Sequence, residues 1–98
     1  MEQRYWDLDH QTTGRSVRVR FSGTAANVRL LDQANFDSFK GGRQHSFVGG
    51  HVRRSPVMFR IPRDDHWYVT VDHDDPACAG ASVQVLPEES PGPARMGR

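Results

Sequence analysis

His66-Trp67-Tyr68-Val69-Thr70-Val71-Asp72-His73 is the stretch that decides the fold. Trp67, Val69 and Val71 fall on one side of an extended chain, and His66, Tyr68, Thr70 and Asp72 on the other. That two-residue period, carried by β-branched and aromatic side chains, marks a strand with one face turned to a core. Trp67 is its anchor. Upstream, Val57, Phe59 and Ile61 alternate with Met58 and Arg60, and Pro56 and Pro62 bracket them as strand ends. Ser16 to Ser22 puts Val17, Val19 and Phe21 against Arg18 and Arg20. Asn27-Val28-Arg29-Leu30 repeats the pattern after the turn-like Ser22-Gly23-Thr24. Ser46 to Val52 is a weaker strand, interrupted at Gly49-Gly50 where a bulge or bend is expected. Downstream, Ser82 to Leu86 adds Val83 and Val85 to the inward set.

One segment breaks the rhythm. Asp32 precedes and Gly41-Gly42 follows a stretch with Phe36 and Phe39 three residues apart, the start and stop signals of a helical turn. Its two rings are expected to cap an open end of the strand layers. The whole predicts an all-β fold: one antiparallel β-sandwich of about six to eight strands, with a single short helical turn near residues 33–40. Residues 1–87 form the domain, and residues 88–98, rich in Pro and Gly, are expected to be a disordered tail. Tyr5 and Trp6 would pack on an open sheet edge or belong to a partner-binding surface.

Composition narrows the class. Val, Ile, Leu and Phe supply 20 of 98 residues, close to the poverty of disordered chains, but a net charge of +1 lacks the repulsion that keeps such chains open. Apolar runs of three or four residues exclude a membrane-spanning helix. The N-terminal residues lack the apolar core of a secretory leader. Cys78 is the sole cysteine, so no internal disulfide can form, and a cytoplasmic location is expected.

The net charge hides a segregation. Between Arg15 and Arg63 lie nine Arg and Lys40 against only Asp32 and Asp37, and Asp64, Asp65, Asp72, Asp74 and Asp75 follow. Twelve of the thirteen basic residues are Arg, whose planar guanidinium suits two-point contact with oxyanions. If the strand reading holds, Arg18, Arg20 and Arg29 share one outward face. The loop carrying Lys40, Arg43, His45, Arg53 and Arg54 lies at its end. These eight are the candidate partner-binding residues, for an anionic small molecule or an acidic protein surface. The same arginines also suit an ordinary solvated sheet face, where they discourage strand-to-strand aggregation or pair with the aspartates. Nucleic acid has weaker support: a pI of 8.0 is below that of strong binders. Exposed aromatics among the cations would favour single strands, but Phe47, the one ring placed for this, reads as core.

Other chemistry is sparse. Gly41-Gly42 and Gly49-Gly50 lack the strand–loop–helix setting of phosphate loops, and no nucleophile elbow or His-Glu-x-x-His occurs. No cofactor or metal is expected. Asp72-His73-Asp74-Asp75 places Pro76 where a calcium loop needs an oxygen, and His66 and His73 point to opposite faces of one strand. Cys78 has only acidic neighbours, which raise a thiol pKa rather than activate it.

Several groups of residues resemble a known family. They are Ser22-Gly23, Ala25 to Asp32, Asn35-Phe36, Gly42-Arg43-Gln44-His45, Gly49-Gly50, Ser55-Pro56-Val57, Ile61-Pro62, His66 to Asp72 and Ser82 to Leu86. Together they are similar to domain-of-unknown-function family 1883, a small bacterial family, over about residues 4 to 87. The resemblance implies a compact β-sandwich and attaches no catalytic role to any of these positions. Relatives occur alone and joined to TIR domains, which in bacteria serve immune signalling and can cleave NAD, so it also implies a sensing or adaptor role. The loop at residues 74–79 departs from the family pattern in being more acidic and richer in alanine. The expectation is therefore a non-catalytic binding module with a basic face. The alternatives are a salt-sensitive self-assembling protein, whose basic half meets the acidic 64–75 segment of a neighbour, and a small hydrolase built on Cys78 or the histidines.

Overall fold

A computed structural model describes residues 3–73 and 80–87. Seven strands and one helix run in the order β1 (Gln3–Gln11), β2 (Ser16–Phe21), β3 (Ala26–Asp32), α1 (Gln33–Lys40), β4 (Val48–Val52), β5 (Val57–Arg60), β6 (Asp65–His73) and β7 (Ala81–Leu86). They form a four-stranded sheet, β1-β6-β3-β4, and a three-stranded sheet, β5-β2-β7, with every pairing antiparallel. The all-β sandwich expected from alternation is the architecture observed. Among the described residues no helix is long and apolar enough to cross a membrane.

The core follows the alternating positions. Val17, Val19, Phe21 and Phe59 from the smaller sheet meet Val28, Leu30, Trp67, Val69 and Val71 from the larger one, all buried. Each such side chain contributes about 1.5–3 kcal/mol by leaving water, which is how a valine-rich, leucine-poor chain sustains a core. Ile61, one residue past β5, is buried as its place in the pattern requires.

The structure changes four expectations. First, Tyr5 and Trp6 belong to β1, a full strand that pairs with β6 and itself makes the sheet edge. Its register shifts between Asp7 and His10, and Asp9 has φ 62, so the alternation that would have revealed it is broken. Second, α1 covers the outer face of the four-stranded sheet rather than an open end. Phe36 stacks on Tyr68, with Leu31 and Phe39 beside it. Third, the outward side of β6 is consequently buried at its centre, with Tyr68 at 8% and Thr70 at 0% exposure. Fourth, Arg18 and Arg20 on β2 do not share a face with Arg29 on β3, because β2 and β3, though consecutive, belong to different sheets.

The helix signals are realised. Asp32 accepts the Asn35 N–H at 2.9 Å as N-cap. At the other end Gly42, at φ 74, donates to the Phe39 carbonyl and Arg43 donates to that of Ser38, satisfying the last turn in the usual left-handed stop. Cys78, Asp74, Asp75 and the C-terminal tail lie outside the described residues.

Candidate functional site

The outer face of the four-stranded sheet is built from alternate residues of its strands. Cross-strand register sets Tyr5 opposite Thr70 and Asp7 opposite Tyr68 on one side of β6. It sets Arg29 opposite Thr70 and Leu31 opposite Tyr68 on the other. The Phe36 ring lies parallel to Tyr68 at 3.8 Å between centroids. From this stack the rings continue in both directions. Tyr5 is 5.1 Å from Phe36, and His66 is 4.9 Å from Tyr68. On the helix side Phe39 is 6.2 Å from Phe36, His45 is 5.2 Å from Phe39, and Phe47 is 5.9 Å from His45. The Tyr68 hydroxyl donates to Gln33 Oε1 at 3.0 Å, tying strand to helix.

Two rings at the ends of this run remain open to solvent, Tyr5 at 57% and Phe47 at 42% exposure. Phe47 is therefore a surface residue, and its expected place in the core is corrected: it lies in the α1–β4 loop, at a cleft that it lines together with Leu30 and Trp67. Cations sit over the rings. The Arg29 guanidinium is 5.2 Å from the Phe47 centroid and the Lys40 ammonium 5.5 Å from that of Phe36. Arg43 folds back on the last turn of α1, where its charge also suits the helix C-terminus. Asp37, the acidic residue of α1, accepts from the Gln33 amide.

The eight candidate residues therefore separate into three places. Arg29, Lys40, Arg43 and His45 gather on or beside this face. Arg18 and Arg20 lie on the outer side of the three-stranded sheet, where Arg18 donates to Gln84 at 2.8 Å. Arg53 and Arg54 occupy the β4–β5 connection, whose Ser55 hydroxyl accepts the N–H of Phe21 at the far end of β2. Sequence reading gave Tyr5 with Trp6 as one option for a partner-binding surface, and it singled out Phe47 among the cations but assigned it to the core; both rings are exposed.

Three buried polar side-chain atoms among the described residues lack a partner: Arg18 Nε on the three-stranded sheet, and two on the outer side of β6. The Thr70 hydroxyl, on a residue wholly buried, has no hydrogen-bond partner, and neither has Asp72 Oδ1 two residues along β6. Both point outward, and such unmet groups are unusual in a folded protein.

Elsewhere the chemistry is local. A cleft of about 150 Å³ lies where α1 and the β5–β6 connection meet, lined by Asp32, Asn35, Phe47, Arg63 and Trp67 among others. Arg63 closes it by pairing with Asp32 and lying over the Trp67 ring at 5.3 Å. Asp7, Asp9 and His66 bring ligand-type atoms within 4.8 Å of one another. Their proximity comes from the β1 bulge, and Asp7 Oδ1 already accepts from the Asp9 N–H and bonds His66 Nε2. His66 faces outward, whereas His73 is buried inward with Nε2 3.2 Å from the Gly80 carbonyl, so the two histidines do not converge. In the acidic segment, Asp64 accepts the Thr13 N–H and Asp65 accepts that of His66, both within the chain.

The Asp9 N–H first, and His66 second, hold the Asp7 carboxyl below its usual 3.8. A depressed carboxyl pKa stabilises the fold above that value and loses its contribution as pH falls through the lowered one. Asp7→Asn is therefore expected to melt below the parent at neutral pH, with the gap narrowing below about pH 4. Paired thermal melts from acid to neutral pH check this; a gap that persists unchanged in acid contradicts it.

Two packed antiparallel sheets with an aromatic and cationic outer face define a small all-β domain. The chain belongs to the family described as Domain of unknown function (DUF1883), whose model matches residues 1–89. No curated protein and no solved structure matches it.

Proposed function

We propose that this domain is a non-catalytic binding module of the cytoplasm, of sensor or adaptor type, that holds an anionic partner on the outer face of its four-stranded sheet. One observation carries the reading: the ring run ends in exposed Tyr5 and Phe47, while Arg29 and Lys40 lie over its rings. Exposed aromatic and arginine side chains in one patch are the residue types that dominate binding energy at recognition surfaces. Cations fixed on ring faces are oriented before the partner arrives, which reduces the entropy lost on binding. His66 and His73 lie on opposite faces of β6, so the geometry gives no support to a hydrolase pairing those two.

A thermal-shift panel of nucleotides, sulfated sugars, oligonucleotides and acidic peptides tests it. A ligand at about 100 times its Kd adds ~2.7 kcal/mol, roughly 10 °C or more for a domain of this size. The shift should disappear in the Arg29→Glu/Lys40→Glu double variant and survive in Arg18→Glu/Arg20→Glu. The opposite dependence, or a panel without shifts, counts against this face.

A further inference from the structure

The geometry points to single-stranded nucleic acid as the partner class, an inference that rests on the binding face proposed above. Two features of that face bear on the choice, and a third lies beneath it. The first is the ring run itself. Tyr5 and Phe47 are exposed and linked through buried Phe36 and the partly buried Phe39 and His45, so flat apolar surface is offered at both ends of the run. Every base has a face that stacks on such rings, and single-strand binders gain much of their affinity this way. A duplex keeps its bases stacked inside.

The second feature is the placing of charge. Arg29 and Lys40 lie over rings of the run and Arg43 folds on the end of α1, while Asp7, Asp37 and Asp72 place carboxylates on the same side. A strand whose bases lie on the rings carries its phosphates alongside them, within reach of side chains anchored at the ring edges and faces. Arginine stacked on phenylalanine also adds its own plane to the platform.

The third feature is the unmet hydrogen-bonding capacity. Register places Thr70 between Tyr5 and Arg29, and its buried hydroxyl has no partner; Asp72 Oδ1, next outward on β6, has none either. Both atoms are buried, so they mark polar capacity beneath the face rather than an open edge for a base, and the choice of partner rests on the rings and the charge. Only three fixed cations are present, so the binding is expected to be modest in affinity. Its salt dependence should be shallow, with a log–log slope of about −2.

Fluorescence anisotropy of the full chain with a labelled thymidine strand of about 12 nucleotides, within the range of known single-strand sites, tests the inference. The single strand should bind more tightly than a duplex of equal length. Phe47→Ala and Tyr5→Ala should each weaken it about tenfold, as loss of one stacked base requires. Arg20→Gln, on the other sheet, should leave it unchanged. Both rings are exposed, so the alanine variants are expected to fold, and their melting temperatures confirm it. Heparin and an acidic peptide serve as competing probes. If either binds through Arg29 and Lys40 while the oligonucleotide does not, the nucleic-acid inference falls and the binding face stands. If no probe responds to Arg29 or Lys40, both fall. Equal affinity for duplex and single strand, indifferent to Phe47 and Tyr5, overturns stacking.

Discussion

Trp67→Ala should destabilise the domain by about 4 kcal/mol and lower its melting temperature by roughly 20 °C. Trp67 is 2% exposed on β6, the strand that pairs with both β1 and β3. Its indole occupies the inner layer with Leu30 and Val69, and its Nε1–H donates to the Arg63 carbonyl at 3.0 Å. The Arg63 guanidinium lies over the ring and pairs with Asp32, the N-cap of α1. Truncation therefore opens a large cavity, orphans a carbonyl and loosens the arginine that links β6 to the helix. A domain of this length has ~5–15 kcal/mol in all, so the loss is a substantial fraction of its stability. Trp67→Phe keeps most of the volume and should cost far less. Urea or thermal unfolding of both variants measures this; an alanine variant within about 1 kcal/mol of the parent would mean the indole is not the anchor of the core.

The second large effect is expected at Gly49. With φ 108 it holds a conformation that side chains other than glycine rarely adopt. A Cβ there would also collide with the Val28 carbonyl oxygen and come within 2.9 Å of Phe59 Cζ. Backbone strain and the forced separation of β4 from β3 together should make Gly49→Ala cost about 3 kcal/mol. Gly50 is the internal control. Its φ is 145, but nothing lies within 4 Å of an added Cβ, so Gly50→Ala should carry the conformational strain without the collision. Equal costs at the two positions would show that the close approach of β4 to β3 and β5 contributes nothing.

The sheets were legible wherever alternation was clean. β2, β5 and β6 read correctly because their inward residues repeat every second position and their ends carry Pro, Gly or Ser. β1 was not legible as a strand, since Gln3–Gln11 is mostly polar and its bulge at Asp7 to His10 changes the phase. The proposed binding face was half legible. Lys40, Arg43, His45, Arg53 and Arg54 were read as one loop, but Arg53 and Arg54 lie in the β4–β5 connection, and Lys40, Arg43 and His45 lie at the end of α1 and just after it. Arg18 and Arg20 were wrongly grouped with Arg29, because a short turn after Phe21 looks like a hairpin. In fact β3 crosses to the other sheet and pairs with β6, far along the chain. Which sheet a strand joins is decided by such distant partners and not by its own residues. Phe47 failed for a related reason: its exposure depends on where α1 lies, and helix position on a sheet leaves no trace in the spacing around residue 47.

The family match agrees with the resemblance read from the scattered motifs, and those motifs map mainly to positions that hold the scaffold. Asp32 caps α1, Gly42 ends it, Gly49 lets β4 approach β3, and Trp67 fills the core. The exposed rings of Tyr5 and Phe47 fall outside those motifs. Arg29, Phe36, Arg43, His45, Tyr68 and Thr70 of the same face lie within them, so the two readings share many of their residues.

The central claim is that the partner sits on the outer face of the four-stranded sheet. Backbone amide shifts in a two-dimensional NMR titration with a single-stranded oligonucleotide would locate it most directly. The changes are expected to concentrate at Tyr5, Arg29, Phe39, His45, Phe47 and Thr70, with β2, β5 and β7 nearly silent. Changes centred instead on Arg18, Arg20 and Arg60 of the three-stranded sheet would contradict it.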